Sequence, residues 1–301
     1  MEFFKQKLAT ESLSENTKKV YIASLGRIET IMGQKIEDMV LSRVVGIFKK
    51  LMASDYSLET KKSMWNALIK YINYTGKVKK PIVVKYKELY DKVVKGILTI
   101  EEENAVKPKE EGKLIPYSEM RAKFEDYYTN SDDYNFRDML LLANLLFLDA
   151  PTRLSNYDNM KIVRNVKDSP NLTDASDDYN YLVINGDKMK YIFNKYKTAD
   201  VIGRVEADVT DGLLANVLEN YLENHDGEML FTLSQPNMTM ALKRLTKKIY
   251  GVEFSVDIIR HAFITHIYDN TTMSPQEKQK ILTLFGHKVG TTQTDKYYRK
   301  T

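Results

Sequence analysis

The chain has no cysteine in 301 residues. That excludes disulfides, thiol nucleophiles and cysteine-ligated zinc, and it suits a reducing intracellular setting. Long apolar runs are also missing. The longest, MLLLANLLFLDA, is interrupted by Asn144 and Asp149 and falls short of a membrane span. The first residues, MEFFKQKLATES, lack the apolar core of a secretion signal. No phosphate-cradling glycine loop, HExxH or EF-hand pattern occurs, and the carboxylates form no obvious metal cluster. There is no internal repeat and no low-complexity tract. Any chemistry is therefore expected to need neither metal nor cofactor.

The hydrophobic share of 43% and charged share of 29% suit an ordinary globular protein, and the length suits two domains. Net charge is only +4, but it is uneven. Residues 1–100 hold 19 Lys+Arg against 10 Asp+Glu, and the rest hold 26 against 31. A basic front part suits a polyanionic partner, although a lysine-rich helical surface can also be merely solvated.

Helical spacing dominates the first hundred residues. Ser12-Leu-Ser-Glu15 reads as a capping box, followed by Tyr21, Leu25, Ile28 and Ile31 on one face. Ser57 opens a helix whose apolar face is Trp65, Leu68, Ile69 and Ile72. Further helices are expected near Leu41–Met52 and Tyr86–Val94. Residues 101–116, EEENAVKPKEEGKLIP, have the composition of a solvated charged linker.

Beyond it, helices are expected from Tyr117 and over RDMLLLANLLFL. Strands are expected at YNYLVIN (179–185), YIFNKY (191–196) and VIGRVEADV (201–209). The pattern then returns to helices at LLANVLENYL, MTMALKRLTKKIYG, VDIIRHAFITH and SPQEKQKILTLFGH. The fold class is thus mainly α. A helical bundle spans 1–100, a linker 101–116, and a mostly helical domain with a small antiparallel sheet 117–301.

One segment poses a physical question. VDIIRHAFITH places Arg260 and His261 among residues spaced for a core, where a charge is costly unless something meets it. The choices are a structural partner, such as Asp257, or an anionic ligand. Other polar groups at the ends of core elements are Arg153, which could cap its helix, Lys197 in a turn, His287 after LFG, and the Tyr297–Tyr298 pair.

In order and context these segments resemble the tyrosine recombinase (phage integrase) family, over nearly the whole chain. SLSENTKKVYIASL resembles the start of its DNA-clamping domain, LLFLDAPTRLSN its first-arginine region, and NKYKT its lysine turn. IIRHAFITH resembles its second-arginine motif, LFGH its late histidine and KYY its nucleophile segment.

The resemblance implies a site-specific recombinase or integrase of a mobile element or virus, acting inside cells on double-stranded DNA. It would bind inverted half-sites as a homodimer and work as a homotetramer. Arg153, Arg260 and His287 would bind the scissile phosphate, Lys197 would protonate the leaving 5′-oxygen, and Tyr298 or Tyr297 would attack, with Tyr298 slightly favoured. A type IB topoisomerase and a catalytically silent DNA-binding relative are the alternatives.

Three positions depart from the family pattern. Asp257 stands where His or Lys is usual, Asn156 where an acid is frequent, and the tyrosines fall ten and eleven residues after His287 rather than nine. The DNA-clamping surface is expected to include Lys18, Lys19, Lys61 and Lys62.

Overall fold

The computed structural model describes residues 1–40, 43–76, 78–102, 110–164 and 179–286, with the backbone alone over 98–102. The chain forms two compact units, Met1–Glu103 and Asn104–Thr301. Among the described residues no helix is long and apolar enough to cross a membrane.

The first unit is helical: α1 (Glu2–Ala9), α2 (Glu15–Met32), α3 (Ile36–Met39), α4 (Val44–Met52), α5 (Leu58–Thr75) and α6 (Lys80–Glu102). The capping serine of α2 is Ser14, whose Oγ accepts from the Thr17 amide, rather than Ser12. Glu15 begins the helix and pairs with Lys18, so a lone serine cap two residues later replaces the expected box. Ser57 caps α5 in the same way, and Trp65, Leu68 and Ile72 are buried along its inner face.

Trp65 is the centre of this core. Its ring meets Phe48 and Tyr86, and its indole donates to the Tyr86 carbonyl at 2.7 Å. The Tyr86 hydroxyl in turn donates to the Val40 carbonyl at 3.0 Å, so both polar tips are satisfied inside the core. Lys61 does not project to solvent. It is buried, and its Nζ donates to Met52 O at 2.9 Å, next to the end of α4.

The second unit is mainly helical with a small four-stranded mixed sheet. It comprises α7 (Tyr117–Asn130), α8 (Phe136–Phe147), a 3-10 turn (Leu154–Asn156), β1 (Met160–Arg164), β2 (Asn180–Asn185), β3 (Lys188–Phe193), α9 (Ala199–Ile202), β4 (Val205–Asp208), α10 (Gly212–Glu223), α11 (Gln235–Tyr250), α12 (Val256–Asp269) and α13 (Pro275–Leu284). Every residue of α8 from Met139 to Phe147 is buried, which places it in the middle of the unit with α7, α10 and α11 around it. Such an all-round apolar helix needs a covered surface on each side.

The sheet departs from expectation in three ways. Its order is β1-β2-β3-β4, and β1 runs parallel to β2, so the sheet is mixed rather than antiparallel. β1 itself, MKIVR, is too short and charged to have declared itself. Residues 201–202, expected as strand, close the single helical turn α9, and β4 begins only at Val205. The β2–β3 hairpin turns on Gly186 and Asp187, with Gly186 at φ +58°. A positive φ at the first of two loop residues gives the turn whose twist matches the flanking strands, which suits glycine there.

Replacing Trp65 with alanine removes the largest fully buried side chain and one hydrogen bond to the Tyr86 carbonyl. Denaturant unfolding of the isolated segment 1–103, or of the first transition in the whole chain, is expected to show a loss of about 3–5 kcal/mol.

Candidate active site

The structure answers the question posed by Arg260. Ser255 caps α12, its Oγ accepting from the Ile258 amide, and this directs the fifth helical residue into the core. Arg260 is only 1% exposed. Its Nη1 donates to the Pro151 carbonyl at 2.5 Å and its Nη2 to the Phe285 carbonyl at 3.1 Å. The guanidinium carbon lies 3.5 Å from the centre of the Phe285 ring. Buried, the cation is thus solvated by two backbone dipoles and an aromatic face. Asp257 is exposed and turned elsewhere, lining a cleft of about 180 Å³ with Glu110, Lys113, Lys243 and Glu253.

Those two carbonyls tie remote segments together. Pro151 stands two residues before Arg153, and Phe285 two before His287. Arg153 is half-buried and sits in extended backbone just ahead of the 3-10 turn. It does not cap α8 among the described contacts. Tyr117 does, its hydroxyl reaching the carbonyls of Leu146 at 2.8 Å and Leu145 at 3.3 Å. A methyl group built on Gly286 would lie 3.2 Å from Arg153 Nη1, so that guanidinium rests against the glycine.

The turn that carries Lys197 reaches the same corner from the sheet. The lysine is exposed and lies in the connection between β3 and β4, which is longer than a tight hairpin and contains α9. Three side chains anchor this connection. The Tyr196 hydroxyl donates to the Gly203 carbonyl at 2.6 Å, closing the segment on itself. Burial pushes that phenol up to about 12, so it remains a neutral donor throughout the physiological range. Thr198 Oγ1 donates to the Gly286 carbonyl at 2.9 Å.

The third anchor is Asn180, at the start of β2. Its Oδ1 accepts from the amides of Asn194 and Lys195, both at 2.8 Å. Its Nδ2 donates to the Asn156 carbonyl at 2.6 Å and the Lys195 carbonyl at 2.9 Å. One buried amide, with all four hydrogen bonds made, therefore joins the Arg153 turn to the segment leading into Lys197.

Composition alone marked 101–116 as solvated, but one acid within it is not. Glu110 is 1% exposed, and its carboxylate meets His261 Nε2 at 3.3 Å. This is the partner of His261, the neighbour of Arg260 in sequence, and it comes from outside the apolar pattern. Asn156 is buried beside the site and contributes its backbone carbonyl to Asn180.

The structure thus brings Arg153, the Lys197 turn and Arg260 to the corner formed by Phe285 and Gly286. His287, Tyr297 and Tyr298 lie outside the described residues. Tyr117, Tyr157 and Tyr191 are fully buried, and burial raises each phenol above its ordinary range, which unsuits them for attack on a polymer. Among the described residues no group of acidic or histidine side chains could hold a metal ion. Asn180, Thr198 and Glu110 carried no signal in the sequence, since an isolated polar residue has no periodicity to betray it.

No protein-family model and no curated protein matches the sequence. Among solved structures, the crystal structure of XerA recombinase aligns with 99% of this chain and 93% of its own, at 15% identity and a TM-score of 0.41.

Replacing Asn180 with alanine strips partners from four buried or half-buried backbone groups. The expected cost is about 2–4 kcal/mol in thermal unfolding, with faster amide exchange at Asn194 and Lys195 than at strand residues such as Leu182.

Proposed function

We propose that the chain is a metal-independent DNA transesterase of the tyrosine-recombinase type, cleaving and rejoining DNA at specific sites. The observation that carries this is the convergence of Arg153, Arg260 and the Lys197 turn on the residues immediately before His287. Two guanidiniums, an ammonium on a turn and a late histidine form a donor set suited to a phosphodiester.

In this reading the phenolic oxygen of Tyr298, or of Tyr297, attacks the scissile phosphorus as its proton passes to solvent water. A new P–O bond forms to tyrosine as the bond to the 5′-oxygen breaks. Negative charge builds on the non-bridging oxygens, where Arg153, Arg260 and His287 donate. Preorganised donors of this kind are each worth roughly 10²–10³ in rate. Lys197 gives its proton to the departing 5′-oxygen, leaving a 3′-phosphotyrosine and a free 5′-hydroxyl. Nothing is oxidised or reduced, and resealing is the same step in reverse.

The basic first unit would hold duplex DNA, and exchange between two sites would need a dimer on each. Lys18 is paired with Glu15 and Lys61 is buried on a carbonyl. Of the four lysines expected to contact DNA, Lys19 and Lys62 are thus left to meet phosphates. Reversing both to glutamate should weaken DNA affinity and lower the salt dependence by about two units of log–log slope. Replacing Lys61 with methionine should leave that slope unchanged. Titrations of fluorescent duplex over a range of salt would show it, and an unaltered slope in the double reversal would argue against this surface.

Cleavage itself is testable with a pool of random-sequence duplexes carrying a nick near the centre, in EDTA. Attack beside the nick loses the short 5′-hydroxyl strand and traps protein on DNA. Denaturant-resistant adducts are expected from the wild type and not from whichever of Tyr297→Phe and Tyr298→Phe removes the nucleophile. Arg153→Ala should lower adduct formation at least 100-fold. Tight binding with no adduct would instead favour a catalytically silent DNA-binding protein. Relaxation of supercoils with no exchange between molecules would favour a topoisomerase.

A further inference from the structure

The bond from Thr198 to Gly286 is not what local structure would favour. Thr198 occupies the N-cap of α9, where a threonine oxygen ordinarily accepts from amides of the first turn. Here it makes no such bond, and its hydroxyl donates to a carbonyl 88 residues away at 2.9 Å. Gly286 is shaped to receive it. The glycine has φ +81°, a conformation costly for other residues, and an added methyl would press on Arg153 Nη1 at 3.2 Å and Thr198 Oγ1 at 3.4 Å. Lys197 is thus bracketed. Asn180 fixes Asn194 and Lys195 on one side of it, and Thr198 is tied down immediately after it.

We infer that Thr198 is a positioning residue for Lys197, locking the lysine-bearing turn to the Gly286 carbonyl so that the ammonium keeps its reach to the leaving 5′-oxygen beside Arg153. This deepens the transesterase reading and rests on it. Without the tether the turn keeps its Asn180 anchor but loses its register against Arg153. Proton delivery would suffer, while DNA binding and phosphate contact would not.

The test exploits the leaving group. Two versions of one cleavable nicked duplex would be made, with oxygen or with sulfur as the 5′-bridging atom at the scissile phosphate. Sulfur departs as a thiolate and needs no proton, so a defect in proton delivery vanishes on it. Thr198→Val is expected to cleave the oxygen duplex about 10- to 100-fold more slowly than wild type and the sulfur duplex at nearly the wild-type rate. Thr198→Ser, which keeps the hydroxyl, should recover most of the loss on oxygen, and Lys197→Ala should show the same sulfur relief as Thr198→Val in stronger form.

A Thr198→Val protein that cleaves the oxygen duplex normally, or is equally slow on both, would overturn the positioning role while leaving the transesterase reading intact. If sulfur fails to relieve Lys197→Ala, the lysine is not the acid and the inference falls with it. A wild type that attaches to neither duplex would overturn the parent reading.

Discussion

Everything proposed for this site depends on how a buried guanidinium is solvated. Arg260 is buried in its unit, and two carbonyls and the Phe285 ring take the place of water around it. Because each carbonyl belongs to a different remote segment, satisfying one charge fixes two chain paths. Pro151 sets where Arg153 begins, and Phe285 sets where the chain turns at Gly286 toward His287. Breaking such a contact costs more than the contact is worth in isolation, since a charge in the interior would be left undersolvated. The arginine therefore organises the corner as well as contributing positive potential to it.

Around this fixed point, neutral hydrogen bonds take over. Asn180 joins the Arg153 turn to the end of β3 with a fully satisfied side-chain amide, and Tyr196 closes the following connection upon itself. Glu110 reaches His261 from the stretch that leaves the first unit. None of these devices carries the chemistry. The bonds of Asn180 and Tyr196 instead hold the backbone of the turn that carries the exposed Lys197.

Much of the helical architecture was legible because burial leaves a period. Trp65, Leu68 and Ile72 recur as a helix face demands, and α8 announces itself as a helix covered on all sides. Errors gathered where periodicity is weak or absent. A two-residue shift of the α2 cap turned on which of two serines in Ser12-Leu-Ser14 meets an amide, and both are chemically able. β1 was missed because five residues with charges at both positions two and five give no clean alternation. Lys61 was counted among surface cations, yet the stem of a lysine can be buried while its amine finds a carbonyl.

The sequence by itself determined the helix-rich class, the position of the apolar faces, the absence of thiol chemistry and the order of the candidate residues along the chain. Those are properties of composition and spacing, which survive without a third dimension. Only the tertiary structure decided that Arg260 is met by carbonyls and an aromatic ring, that β1 joins the sheet in parallel, that Glu110 meets His261, and that Asn180 and Thr198 tie distant segments to the corner. The physical reason is range. A polar group chooses its partner by distance in space, and a separation of 88 residues between Thr198 and Gly286 leaves no trace in local pattern.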